Sequence, residues 1–72
     1  MISLIYSADY DFQVLLVLPE VSRETAWQVA NGSVDEFLNK GIEHYDVITF
    51  DDFAEMNTFI IESVGQGRKQ LH

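Results

Sequence analysis

Imidazole and carboxylate come closest together at Glu43-His44-Tyr45-Asp46, where acid–base chemistry or metal ligation would be sought first. In an extended segment, however, Glu43 and His44 point to opposite faces, and no second His lies at ligand spacing. An exposed His at a strand end accounts for the motif. Asp9-Tyr10-Asp11 has the look of a cation loop but lacks the glycine and terminal Glu of an EF-hand, and turn chemistry explains both carboxylates. Asp51-Asp52 has the same kind of explanation as a helix cap. No Gly-rich loop follows a strand, since Gly65-Gln66-Gly67 comes after a helical pattern and reads as its stop. Ser, Thr and His show no nucleophile–base spacing. The reading is a protein that is not an enzyme and needs no cofactor or metal.

The acids have greater weight as a surface. Asp35, Glu36, Glu43, Asp46, Asp51, Asp52 and Glu55 fall within residues 35–55, countered there only by Lys40. The chain carries a net charge of −8, from twelve acids and four bases. Two of the bases, Arg68 and Lys69, lie near the end, so residues 1–66 set twelve acids against Arg23 and Lys40, or −10. Such a body repels nucleic acid and anionic membranes and attracts basic surfaces. The plainer reading of the acids is a solvated, solubilising face. The sharper one is a docking surface whose spaced carboxylates stand in for phosphates on the nucleic-acid groove of another protein, which such grooves read largely through Lys and Arg. That role would suit a phage- or plasmid-type inhibitor of a host enzyme.

Other classes are bounded by composition. Cysteine is absent, which rules out disulfides and thiolate metal sites and is compatible with a cytoplasmic location. The start, Met1-Ile2-Ser3-Leu4-Ile5-Tyr6, lacks the basic and long apolar regions of a signal peptide, and no apolar run approaches the ~20 residues of a membrane helix. A hydrophobic content of 47% argues against disorder. At 72 residues one domain is expected, near the size where a core is only just sufficient, so a homodimer or a partner is a natural expectation.

The elements that must position these residues follow from periodicity. Phe12-Gln13-Val14-Leu15-Leu16-Val17-Leu18 does not alternate, so it reads as the central strand, apolar on both faces. Ile2–Ser7 alternates and reads as a first strand, joined to it by a hairpin. A three-residue loop, Ala8 to Tyr10, sets Ser7 opposite Asp11 and collects Ile2, Leu4, Tyr6, Phe12, Val14, Leu16 and Leu18 on one face. Ser22 caps a helical region over Arg23–Lys40 with Trp27, Ala30, Val34, Phe37 and Leu38 as its stripe. The stripe keeps phase throughout, but the helical region is kinked or briefly interrupted at Asn31–Ser33, where Ser33 to Glu36 forms a capping-box pattern, and Gly41 ends it. Tyr45–Phe50 is a third strand. Asp51 or Thr49 caps a last helix with Phe53, Met56, Ile60 and Val64 inward.

The expected architecture is a small α+β domain over residues 1–67, ordered ββαβα, with a loose tail over 68–72 and a three-stranded sheet carrying its helices mainly on one face. The bare face would then expose Ile5, Leu15 and Val17, an alternative apolar interface for a dimer, a structural or regulatory subunit contact, or a partner. The other arrangement has the last helix crossing over to cover that face. The leading functional expectation is a non-catalytic module that binds a protein with a basic surface, with no direct nucleic-acid or membrane contact.

Overall fold

The side chains of Ile2–Ser7 can be covered on both faces only where helices lie above and below the strand, and there the chain places it. The computed structural model describes residues 1–8 and 11–70, with side chains described as far as residue 65. The elements are β1 (Ile2–Ser7), β2 (Gln13–Pro19), α1 (Arg23–Gly32), α2 (Val34–Asn39), β3 (Asp46–Phe50) and α3 (Phe53–Gln70). They form a small α+β domain with one antiparallel three-stranded sheet in the order β2-β1-β3. The central strand is therefore β1, not the Phe12–Leu18 run. Helices α1 and α2 carry the chain over β1, so β2 and β3 run parallel with β1 between them.

The run in β2 fails to alternate for another reason. Ile5 pairs with Leu16 but Tyr6 pairs with Val14, so Leu15 is the extra residue of a β-bulge. A bulge turns two successive residues toward one face. Leu15, Leu16 and Leu18 all pack on the cluster of Ile5, Ala26, Ala30, Phe37, Ile42 and Val47 under α1 and α2. Val14 and Val17 sit opposite Tyr6 and Leu4, on the other face. The hairpin register is corrected accordingly. Ser7 faces Gln13 rather than Asp11, and the connection is Ala8–Phe12. Asp9 and Tyr10, on which the three-residue loop rested, lie outside the described residues. Phe12 and Val14 keep company with Ile2, Leu4 and Tyr6 as expected; Leu16 and Leu18 do not.

The two sheet faces carry different helices. Ile2, Leu4 and Met56 form a second cluster with Tyr6, Phe12, Phe50, Phe59 and Ile60, so α3 crosses over and packs on the face away from α1 and α2. Two of the three helices thus share one face and the third covers the other. The reason lies in β1: its even and odd positions are both apolar enough to require cover, and Leu4 and Ile5 are each 0% exposed. The last helix half-buries Phe59, whose ring meets Tyr6, Phe12 and Phe50 at centroid distances of 5.4–5.7 Å. Phe53, placed inward by the stripe, is instead exposed. Buried Ser3 is satisfied by donating to the Val21 carbonyl at 2.6 Å and by the Thr49 hydroxyl at 3.0 Å.

Local signals explain most element ends. The Ser22 hydroxyl accepts from Thr25 N–H at 3.2 Å and caps α1. Ser33 divides α1 from α2 but does not form the capping box, because its hydroxyl donates back to the Val29 carbonyl. Leu38 lies on the outside rather than in the stripe. Gly41, at φ 81°, closes α2 with a Schellman motif: Ile42 N–H reaches the Phe37 carbonyl and Gly41 N–H the Leu38 carbonyl. Ile42 and Phe37 meet in the core as that motif favours. At the other end of the chain, α3 runs through Gly65 and Gly67 to Gln70, into the segment read as tail. A glycine costs a helix about 1 kcal/mol, which weakens it without stopping it.

Candidate functional site

The seven acids of the expected docking surface are all exposed, but the fold does not bring them together. Asp46 begins β3 opposite Tyr6, whereas Asp51 and Asp52 follow its far end, beside Met1. A five-residue strand separates these groups by about 16 Å. Glu43 belongs with the Asp46 end and Glu55 with the Asp51 end, while Asp35 and Glu36 lie in the first turn of α2. Sequence proximity made one run of acids that β3 divides between its two ends.

Several of these carboxylates also hold the fold. Asp52 accepts from Glu55 N–H at 2.9 Å, and the Glu55 carboxylate reaches back to Asp51 N–H at 3.3 Å. The cap of α3 is therefore Asp52, not Asp51 or Thr49, in a reciprocal capping arrangement. Asp46 Oδ1 accepts from Val47 N–H at 2.7 Å. A carboxylate has about four acceptor positions, so each of these keeps capacity for a partner.

His44, Tyr45 and Asp46 of the motif line an open cleft of about 260 Å³ together with Tyr6 and Ala8. Its internal chemistry is that of a tether. Tyr6 O–H donates to Asp46 Oδ2 at 3.4 Å, and desolvation, with the Asp46 charge and this hydrogen bond behind it, pushes the Tyr6 phenol above its ordinary value. A phenol held neutral keeps its proton and donates it as a hydrogen bond to its neighbour. Tyr45 packs tilted against Trp27 and edge-on to Phe37 and donates to Asn31 Oδ1 at 3.0 Å, fastening the end of α1 to the entry of β3. Among the described residues no three His, Asp or Glu side chains are placed to hold a metal ion.

The alternative apolar interface does not exist as one patch. Ile5 is wholly buried beneath α1, Leu15 leans on the same core, and Val17 lies on the opposite face. The bulge separates Leu15 from Val17. What the sequence reading missed is the free edge of β2. Val14 and Val17 are 43% and 36% exposed there, and no charged residue occurs from Gln13 to Pro19. The signal was present in the broken alternation at Leu15-Leu16, which marks a bulged edge strand as readily as a buried central one.

No family model matches this chain, and no curated protein or solved structure matches it either. Among the described residues no helix is long and apolar enough to cross a membrane.

Proposed function

We propose that this chain is a small, non-catalytic protein-binding module that docks on the basic, nucleic-acid-binding surface of a cytoplasmic host enzyme, in the manner of a phage- or plasmid-type inhibitor. The observation that carries this reading is that every described Asp and Glu is exposed on a chain of net charge −8. Exposed carboxylates attract Lys and Arg at long range and accept their forked hydrogen bonds at short range, as phosphates do. The acid groups at the two ends of β3 would engage separate basic clusters on the partner. One observation favours a second reading, association through apolar surface with a second copy or a structural partner: the exposure of Val14 and Val17 on β2.

The test is retention of a partner from host lysate at low and high ionic strength, by the wild type and by a neutralised variant. Asp51→Asn, Asp52→Asn and Glu55→Gln remove charge while keeping cap acceptors, and Asp35→Asn with Glu36→Gln removes the α2 group. The expected result is a partner held at low salt, released at high salt, and lost to the combined variant while circular dichroism stays native. A partner held equally by both proteins at both salt concentrations would overturn the acidic reading and favour the apolar one.

A further inference from the structure

We propose that β2 is an augmentation edge, which takes an extended segment of a partner protein as a fourth strand, apolar in its middle and basic at its two ends. This goes beyond the acidic-surface reading, because backbone pairing at β2 uses none of the acids between residues 35 and 55.

Strand β2 is outermost in the sheet, so among the described residues one side of its backbone lacks a neighbouring strand. An outer strand offers a row of N–H and C=O groups to any extended chain, and folds usually guard it with charge, bulges, proline or cover. Here the bulge at Leu15 and Pro19 at the strand end are present, and charge is absent from Gln13 to Pro19. The bulge breaks the edge into short regular pieces, so an incoming strand pairs with Leu16–Leu18 or with Gln13–Val14 in fixed register. Val14 and Val17 stand exposed beside it, and each would gain cover from a neighbouring strand.

The other outer strand shows what a guarded edge looks like. In β3 the Val47 N–H is taken by the carboxylate of Asp46 at 2.7 Å, and the strand is shorter.

Charge selects the occupant. Exposed Asp11 precedes β2 and exposed Glu20 follows it, one acid at each end of an uncharged strand. An incoming strand with Lys or Arg at both ends meets an opposite charge at each. A second copy is the poorer fit. Pairing two β2 strands antiparallel about Leu16 places Asp11 of each beside Glu20 of the other, and joins two bodies of net charge −8.

The experiment uses the full chain and a synthetic peptide with alternating valine and threonine in its middle and a pair of lysines at each end. Binding is followed by amide chemical shifts. The expected result is saturable binding, with shifts and new hydrogen-exchange protection confined to Gln13–Leu18 and their neighbours on β1. N-methylating the backbone positions that face β2 should weaken binding roughly tenfold or more, since about two hydrogen bonds are lost. Peptides ending in glutamate should bind more weakly, and Asp11→Asn with Glu20→Gln should reduce the difference between the two peptides. The proposal is overturned if no binding occurs, if N-methylation has no effect, or if the shifts map to the start of α3, which would leave only the acidic surface. Concentration-dependent protection of β2 without peptide would identify the second copy as occupant and overturn it equally.

Discussion

Strands β1 and β2 are nearly equal in length and both rich in apolar residues, yet they have opposite fates. In β1, Leu4 and Ile5 are wholly buried, one under α3 and one under α1. In β2, the more continuously apolar of the two, Val14 and Val17 are open to solvent and the leucines are half-buried. Apolar content therefore did not decide which strand became central. Connectivity did: α1 and α2 carry the chain past β1 before β3 is laid down, so both neighbours of the sheet fall to β1. The contrast separates positions that stabilise the fold from positions free to do something else.

The largest expected effect is at the centre. Leu4→Ala removes a fully buried side chain from between the α3 cluster and the sheet, and should cost about 2–5 kcal/mol. Denaturant melts measure it, and a loss no larger than that of an exposed substitution would remove the distinction between the strands.

Deleting Leu15 probes the bulge. Tyr6 would still meet Val14 and Ile5 would still meet Leu16, so the shortened strand keeps every residue on its present face. The variant should fold with a loss of about 1–2 kcal/mol, the partial burial of one leucine. An unfolded product would mean that Leu15 belongs to an unbroken ladder after all.

A third prediction concerns pH at the junction of the strands. The folded Tyr6 phenol titrates above its unfolded value, with desolvation the chief cause. Its contribution to stability is complete below about pH 10, the ordinary tyrosine value, and is lost as pH rises through the folded pKa. Tyr6→Phe should flatten the alkaline limb of the stability profile relative to wild type. If both limbs fall in parallel, the effect comes from elsewhere.

The smallest effect is expected at the edge. Val17→Lys should change stability by no more than about 0.5 kcal/mol, because the side chain is exposed on an outer strand. A melt lowered by several times that amount would mean that β2 is covered in solution.

What the sequence could determine was local. Strand β1 appeared with its observed bounds, Ser22 and Gly41 carried their caps, and a break in the helical region fell where Asn31–Ser33 indicated, since each depends on neighbours in the chain. The exposure of the acids was legible for the same elementary reason, that unpaired charge stays in water. Tertiary structure decided the rest. A run such as Val14-Leu15-Leu16-Val17-Leu18 is compatible with two-faced burial or with a bulge, and only pairing against Ile5 and Tyr6 distinguishes them. Whether Asp46 and Asp51 share a surface depends on the strand between them, and whether Ile5 meets solvent depends on α1. Spacing along a chain becomes distance in space only after each segment has taken its conformation and its neighbour, and long-range pairing supplies that neighbour.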